Sequence, residues 1–225
     1  MSIEHAALLR LMVWLSPSFP VGAFSYSHGL EYLVERGAVA DEASLGAWVR
    51  DVLRRGGGRS DGILFAHAWR ARDVSALTEI AALAAALSPS AERHLETTAQ
   101  GNAFCLMVRQ GWAVPTLDAL QAEWDGPVAY PVAVAVAAAD HGIALDAALL
   151  AYLHAFCANL ISAGIRLIPL GQSAGQRVTA SLEGALAEIA AEAESADLAE
   201  IGSALLLTDL ASMHHETQYT RLFRS

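Results

Sequence analysis

Residues 16–31 read SPSFPVGAFSYSHGLE and interrupt a chain that is otherwise rich in alanine and leucine. Two prolines fix φ within this stretch and push the residue before each of them towards extended geometry. A helix can restart at Ser25 or Ser27, because a serine side chain accepts hydrogen bonds from the free amides of a first helical turn. The stretch therefore predicts a shaped loop between two helices.

Aromatic and polar side chains give this loop two possible roles. It either plugs the end of a helical core or presents a binding surface, since aromatic side chains dominate cores and interfaces alike. We expect Phe19 and Phe24 to face inward. We expect Tyr26, His28 and Glu31 to face outward, where they would form one functional surface.

The composition of the 225-residue chain favours helix and sets broad limits on function. Alanine and leucine, which lose little entropy in a helix, dominate, and lysine is absent. The net charge of −10 argues against a nucleic-acid binder, whose affinity depends on a basic surface. The longest uncharged apolar stretch, residues 127–139, is too short to span a bilayer, and we expect neither a signal peptide nor a membrane partner. Cys105 and Cys157 are far apart in the chain, which suits reduced thiols and a cytoplasmic location.

Apolar spacing and capping residues predict an all-α fold, a single-domain bundle of about ten helices over residues 1–225. The segment 1–15 holds the first helix, and residues 16–26 form the loop. Asp41 and Ser90 predict helix N-caps, because each short polar side chain precedes a helical run, and Asp73 separates two further helices. Valine alternates with alanine over 132–136, which predicts a fully buried helix, since a half-exposed strand would alternate with polar residues.

Other boundaries follow from glycine, proline and serine. The run Gly56–Gly58 should stop one helix before the next begins at Ser60, and a short helix should span 27–37. Segments 173–194 and 197–214 should each be helical. Residues 216–225 carry arginine, tyrosine and phenylalanine with no apolar period, which predicts a flexible tail that becomes ordered on a partner.

The sequence lacks the residue patterns required for nucleotide binding and for nucleophilic catalysis. A phosphate loop requires a lysine after its glycines, and this chain has none. His28 lies near two serines, but no strand-turn-helix elbow or suggestively placed carboxylate supports a catalytic triad. An exposed ion pair between His28 and Glu31 is the simpler interpretation of their three-residue spacing. We therefore expect no catalytic residue and no cofactor.

Metal binding also lacks a complete set of ligands. His154 and Cys157 would share a helix face, but no third ligand lies at a useful spacing, so His154 is better interpreted as a satisfied core or interface histidine. His214 and His215 would point about 100° apart on a helix and cannot chelate one ion together. One of them could meet its copy across a symmetric dimer, in a weak site that ranks low. We expect no metal site.

Residues 164–172 place Arg166 at the end of an apolar helix, followed by a proline, a glycine and Gln172. Arg166 either caps the last carbonyls of its helix, since cations suit the negative helix end, or belongs to a partner-facing surface, where arginine is enriched. Both alternatives stay open from the sequence.

Three segments resemble signatures of one protein family, the urease accessory protein UreF family. Residues 16–31 resemble its N-terminal signature, and residues 166–172 (RLIPLGQ) resemble its second signature. Residues 215–225 (HETQYTRLFRS) resemble its C-terminal tail. The three occur in the family's order and span almost the whole chain.

The resemblance implies an all-α protein, dimeric when assembled and without an active site of its own. Members bind the accessory protein UreD (also called UreH) and the GTPase UreG, and the assembly delivers nickel to apo-urease. By the resemblance, we expect the tail to engage UreD and Tyr26, His28 and Glu31 to face UreG. The expected partner-binding residues are Tyr26, His28, Glu31, Arg166, Gln172, Arg177, Tyr219, Arg221, Leu222, Phe223 and Arg224.

Two other functions remain open beside that of an adaptor. The chain could activate the GTPase through an inserted arginine, with Arg166 or Arg177 as the candidate, since such an arginine can raise a hydrolysis rate by several powers of ten. It could instead carry nickel itself through His28, His154 or His214.

Overall fold

The computed structural model describes residues 4–71 and 73–225, and within those ranges it contains twelve α-helices and no strand. The helices are α1 (His5–Trp14), α2 (Leu30–Glu35), α3 (Glu42–Arg55), α4 (Gly57–Arg70), α5 (Val74–Ala86), α6 (Ala91–Gly111), α7 (Pro115–Glu123), α8 (Tyr130–Asp140), α9 (Leu145–Leu167), α10 (Gln172–Ser181), α11 (Glu183–Ser195) and α12 (Leu206–His215). The predicted all-α class is confirmed. Residues 1–3, which begin the predicted N-terminal segment, lie outside the described ranges.

The predicted N-caps at Asp41 and Ser90 are confirmed, and Asp73, which was expected to separate two helices, is also an N-cap. The side chains of Asp41, Asp73 and Ser90 each accept a hydrogen bond from the amide three residues later, at 2.8, 2.8 and 3.1 Å. The Asp41 amide donates in return to the hydroxyl of Ser44, three residues on, which completes a capping box. These caps fix where α3, α5 and α6 begin, and α6 carries part of the site described below.

The glycine run does not separate two helices in the predicted way. Helix α4 begins at Gly57, inside the run, and not at Ser60. A Cβ atom at Gly58 would lie 2.7 Å from the Cα of Leu53, so glycine is needed there for α4 to pass close to the last turns of α3. The run therefore makes a tight corner between two packed helices.

Three other predicted helices have different bounds. The segment 27–37 is helical only over α2, because His28 and Gly29 adopt left-handed backbone conformations that a helix cannot include. The segment 173–194 is divided at Leu182 into α10 and α11. The segment 197–214 holds a short 3₁₀ turn and α12, separated by extended backbone in which the Ala204 amide donates to the Arg55 carbonyl at the end of α3.

The core of the bundle lies around α8, which packs chiefly on α4 and α6. Every residue from Pro131 to Ala138 is buried, which confirms the fully buried helix predicted from the valine and alanine pattern. Gly101 of α6 allows this close approach, because a Cβ atom there would lie 1.9 Å from the Val128 carbonyl oxygen. The small side chains of α8 thus set the spacing of the central layer.

Helix α9 borders the same core and contacts α2, α3, α4, α8, α10 and α11. Its 23 residues are long and apolar enough to cross a membrane by length and composition alone, so the expectation that no uncharged apolar stretch is longer than 127–139 is wrong. Half of the most apolar window of α9 is buried inside the bundle. Its packing against six other helices is that of a core helix. Helix α12 packs on α2 and α6 and returns the end of the chain to the loop that follows α1.

Candidate functional site

The last residues of the chain lie on a buried polar surface formed by the loop after α1, α2 and α6. Ser27, His28, Glu31, Glu92 and Glu96 form this surface, and we call them the tail seat; each is at least nine-tenths buried. We call residues 216–225 the tail. Such a concentration of buried polar groups inside an alanine-rich bundle requires partners, because an unpaired buried carboxylate is strongly unfavourable.

Backbone hydrogen bonds join the tail to the loop at two points. The Arg224 amide donates to the Ser25 carbonyl at 2.8 Å, and the Ser27 amide donates to the Ser225 carbonyl at 2.8 Å. The Ser27 hydroxyl donates to the same Ser225 carbonyl. The end of the tail is therefore paired with the loop in the manner of two short extended strands.

Glu31 holds the middle of the tail. One carboxylate oxygen accepts the Leu222 amide at 2.6 Å, and the other accepts the Phe223 amide at 2.9 Å. Hydrogen bonds to an ionised acceptor are among the stronger ones in proteins. A single carboxylate on the first turn of α2 thus satisfies two consecutive backbone donors of the tail.

Glu92 and Glu96 of α6 hold side chains of the tail. Arg221 donates to Glu92 at 2.8 Å, and the Ser225 hydroxyl donates to Glu96 at 2.8 Å. Glu96 also faces Arg93, one turn along α6, at 2.6 Å. The tail therefore approaches the body with donors, and the body meets it with three carboxylates.

The ring of His28 contacts Glu96 at 3.4 Å and lies edge-on to Phe156. Burial lowers the pKa of His28, and Arg93 lowers it further against the opposing effect of Glu96. Burial alone would raise the pKa of Glu96, but Arg93 and His28 outweigh it and hold that pKa well below its usual range. Glu96 is therefore an ionised acceptor for the end of the tail.

Two consecutive left-handed residues turn the loop beneath α12. His28 has φ +62° and Gly29 has φ +80°. A Cβ atom at Gly29 would lie 2.9 Å from the Ser212 amide nitrogen in α12, so only glycine fits there. His28 is the single non-glycine residue with positive φ among the described residues, and such strain persists where the surroundings fix it.

The tail has a buried side and an exposed side. Phe223 is buried, and the Arg166 guanidinium lies over its ring at 4.3 Å from the centroid. Tyr219 is fully exposed and Leu222 is 66% exposed, so both remain available to a partner. Arg166 also donates to the Ser162 carbonyl of its own helix at 3.3 Å, which agrees with a local role at the helix end; a partner-facing role stays a prediction.

The expected orientation of the loop side chains is wrong. Tyr26, His28 and Glu31 are buried, whereas Phe24 is 67% exposed. Phe19 is partly buried and packs on the ring of a core phenylalanine, as expected. The left-handed turn and the tail explain the reversal, because they cover the polar residues and leave Phe24 outside. Burial also raises the pKa of Tyr26.

The tail itself also differs from its prediction. It was expected to be flexible until a partner ordered it, yet here it is held by the chain's own side chains, through the hydrogen bonds of Leu222, Phe223, Arg224 and Ser225 described above. The sequence shows the donors of the tail but not the acceptors that meet them.

The remaining candidate residues lie elsewhere on the surface. Gln172 begins α10 and is exposed, and Arg177 is exposed and paired with both oxygens of Glu42. His154 is exposed on α9, so it is not a core histidine, and its role as an interface histidine stays a prediction. Cys157, three residues later, is buried, and burial raises the pKa of its thiol to about 12.

His214 stacks on Tyr32 with ring centroids 5.2 Å apart. Over residues 4–71 and 73–225, no three histidine, cysteine or acidic side chains are arranged to hold a metal ion.

Sequence reasoning missed Glu92 and Glu96 and considered His215 only as a metal ligand. His215 is fully buried between Glu92 and Glu31, at 2.7 and 3.0 Å. Glu92 and Glu96 are four residues apart and so share one face of α6, a spacing that the sequence does contain. Nothing in the sequence indicates that this face meets the end of the chain.

A cavity of about 250 Å³ lies beside the tail seat and is lined by Phe19, Phe24, Asp61, Arg93 and Tyr152, among others. The Tyr152 hydroxyl donates to Asp61 at 2.8 Å. Burial raises the pKa of Asp61 to about 6, although Arg93 and the Tyr152 hydrogen bond oppose it. The loop after α1 thus covers a partly polar interior.

Comparison with known proteins agrees with the resemblance of the three segments. A family model described as UreF matches residues 39–183. A protein of Rhodopseudomonas palustris (strain BisB5) named urease accessory protein UreF is 54% identical over 225 residues, which cover 99% of this chain and 93% of that protein. A protein of the same name from Methylobacterium radiotolerans is 53% identical and is covered to 98% of its length.

Proposed function

The chain belongs to the urease accessory protein UreF family, and from that premise we propose that it is a non-catalytic adaptor that bridges UreD and the GTPase UreG during nickel insertion into apo-urease. The adaptor acts in the cytoplasm and as a homodimer within the accessory complex. Nickel is the cargo of that complex and not a resident cofactor of this chain.

Exposed apolar side chains on two separate helices carry the proposal. One set lies on α1 and includes Leu9 and Met12, each 63% exposed. The other lies on α12 and the tail and includes Leu206, Leu207 and Leu222, at 70%, 78% and 66% exposed. Monomeric proteins rarely leave extended apolar surface uncovered, so two such surfaces suit a protein that contacts more than one partner.

We assign the surface of α12 and the tail to UreD. The tail supplies arginine, tyrosine and leucine side chains on its exposed side, and arginine and tyrosine are typical of residues that dominate binding energy. Because the tail seat holds the tail backbone, its exposed side is ordered before the partner arrives, which reduces the entropy lost on binding. Tyr26, His28 and Glu31 act through this ordering and not by direct contact.

Co-purification with tagged UreD tests the assignment. We expect Tyr219→Ala combined with Leu222→Ala to lower recovery of the chain at least tenfold, since both side chains are exposed and the tail seat is untouched. Leu106→Ala is the matched control, because Leu106 of α6 is 62% exposed and lies outside this surface. Equal recovery of the double variant and the control would contradict the assignment.

Recovery of UreG on tagged UreD, with and without the chain, tests the bridge itself. We expect UreG only when the chain is present. UreG retained on UreD alone to the same extent would contradict the adaptor role.

Regulation of the GTPase is the second candidate, because Arg166 is exposed beside the tail. Arg177, the other arginine considered, is paired with both oxygens of Glu42. Single-turnover hydrolysis of GTP by UreG, with wild-type chain and with Arg166→Ala, separates the two roles. A rate increase that the variant abolishes supports activation, and an unchanged or slower rate supports an adaptor that only gates the GTPase.

A further inference from the structure

His215 is enclosed at the point where α12 ends and the tail begins. From α2, Glu31 faces its Nε2 atom at 3.0 Å, and from α6, Glu92 faces its Nδ1 atom at 2.7 Å. From the tail, Arg221 reaches the same Glu92 carboxylate at 2.8 Å. The neighbouring His214 points to the other side, where it stacks on Tyr32. The ring therefore lies between two buried carboxylates, and a single arginine completes the cluster.

The two short contacts of His215 require one more proton than a neutral histidine carries. Each contact between a ring nitrogen and a carboxylate oxygen needs a hydrogen atom between the two acceptors. A neutral imidazole supplies one, so one contact would otherwise place a lone pair against an ionised oxygen. With both contacts formed, the group holds one proton more than a neutral His215 between ionised Glu31 and Glu92 would hold.

Other donors indicate where that proton lies. Glu31 already accepts the amides of Leu222 and Phe223, and Glu92 already accepts Arg221. Each carboxylate thus accepts hydrogen bonds at both of its oxygens, as an acceptor-only carboxylate does. The proton therefore belongs on His215, and the two carboxylates are balanced by one imidazolium and one guanidinium.

We propose that this cluster is a proton-held clasp: the proton on His215 keeps Glu31 and Glu92 in place to bind the tail, and its loss releases the tail from its seat. A neutral His215 leaves one net negative charge buried and one carboxylate facing a lone pair. The clasp depends only on contacts within this chain and does not require the assignment of the tail to any partner.

The sign of the pH effect follows from the proton count. The docked tail binds one proton more than a detached tail whose histidine is neutral, so docking weakens as the pH rises. A linkage of one proton changes the docking equilibrium by up to about tenfold per pH unit.

Glu92→Gln is the informative variant. The amide oxygen of glutamine can accept from Arg221, and its NH₂ group can donate to the Nδ1 atom of a neutral His215, whose Nε2–H then donates to Glu31. Every contact is satisfied without the additional proton. Docking in this variant should therefore not weaken as the pH rises.

NMR spectroscopy of the full chain from about pH 5 to 9 tests the clasp, because histidine changes charge within that interval. The Leu222 amide proton, hydrogen-bonded to a carboxylate, reports docking, and the ring nitrogens of His215 report its charge. We expect the docking equilibrium constant of the wild type to fall with rising pH by up to about tenfold per unit, and that of Glu92→Gln not to fall.

Two results would overturn the clasp. One is the same pH profile of docking in the wild type and in Glu92→Gln. The other is measured on the wild type alone and so holds even if the variant fails to fold. It is the observation that the ring nitrogens of His215 have the chemical shifts of a neutral imidazole while the Leu222 amide remains docked. Amides of α8 serve as the internal reference, because their loss would mark unfolding of the whole bundle.

Discussion

Helix α8 and the tail seat are both buried, but they are built in opposite ways. Residues Pro131–Ala138 of α8 are all apolar and need no specific partner beyond close packing. The tail seat buries three glutamates, and each is stable only because a defined donor reaches it. Packing therefore determines the fold around α8, whereas hydrogen bonds determine where the tail lies on the bundle.

The difference also separates stability from function. Residues of α8 contact other core helices, so a change there acts on the whole bundle. The tail seat contacts a ten-residue segment at the surface, so a change there can free the tail while the bundle stays folded. Substitutions in the packed core should therefore cost more stability than substitutions in the tail seat.

Gly101→Val should have the largest effect. A Cβ atom at Gly101 would lie 1.9 Å from the Val128 carbonyl oxygen, so α6 and α8 would have to move apart. We expect the free energy of unfolding to fall by about 4 kcal/mol or more, in the range reserved for severe changes. Chemical denaturation measures this loss.

The matched control for that variant is Gly184→Ala in α11, where an added Cβ meets nothing within 4 Å. Its free energy of unfolding should stay the same or rise by up to about 1 kcal/mol, since alanine favours helix over glycine. A loss at Gly184 as large as that at Gly101 would show that steric contact with α8 is not the cause.

Leu153→Ala should come next. Leu153 of α9 is fully buried, and its truncation should cost about 3 kcal/mol through lost transfer energy and the remaining cavity. Leu150→Ala, three residues earlier on the same helix and 41% exposed, should cost about 0.5 kcal/mol or less. Thermal unfolding of both variants checks the difference, and equal losses would contradict the placement of α9.

Glu31→Ala should act locally. It removes the acceptor for two tail amides and for one nitrogen of His215, and each buried donor without a partner costs about 1–3 kcal/mol. We expect the tail to detach and become sensitive to trypsin at Arg221 and Arg224. Cleavage of the tail at the wild-type rate would contradict the role of Glu31.

The body of Glu31→Ala should unfold with a cooperative transition close to that of the wild type, because its effect is expected in the tail and not in the core. A collapse of the whole bundle would show instead that the tail seat supports the core.

Asp61→Asn should have the smallest effect, with a defined sign. Burial raises the pKa of Asp61 from 3.8 to about 6, so the folded chain favours the protonated form. The stabilising contribution of that proton is complete below about pH 4 and is lost as the pH rises to about 6.

Asparagine can still accept the Tyr152 hydroxyl and never ionises. The variant should therefore gain about 1 kcal/mol relative to the wild type between pH 4 and pH 7, a value reduced because Asp61 is partly exposed. The pH dependence of urea unfolding for both proteins measures this gain. A difference that does not change with pH would contradict the raised pKa.

Much of the fold could be predicted because its causes are local. The caps at Asp41, Asp73 and Ser90 depend on residues three positions away, and the burial of α8 depends on its own pattern. The tight glycine corner between α3 and α4 was not predicted. Glycine is required there because the backbone passes close to Leu53, and the sequence pattern does not show that contact.

The site could be predicted only in part because its contacts join distant segments. The bond between Glu31 and the Leu222 amide spans 191 residues, so nothing near Glu31 in the sequence indicates that it will be covered. Its spacing from His28 suggested an exposed pair, and the left-handed turn at His28 and Gly29 places both residues inward instead. The tail has residue types that are typical of binding segments, and the structure shows which of these side chains are exposed.

Amide hydrogen exchange in the tail of the free chain, resolved by residue, shows whether the chain's own tail seat orders the tail. The Leu222, Phe223 and Arg224 amides, which donate to Glu31 and Ser25, should exchange at least tenfold more slowly than those of Tyr219 and Thr220. Uniformly fast exchange from 219 to 225 without a partner would contradict the account.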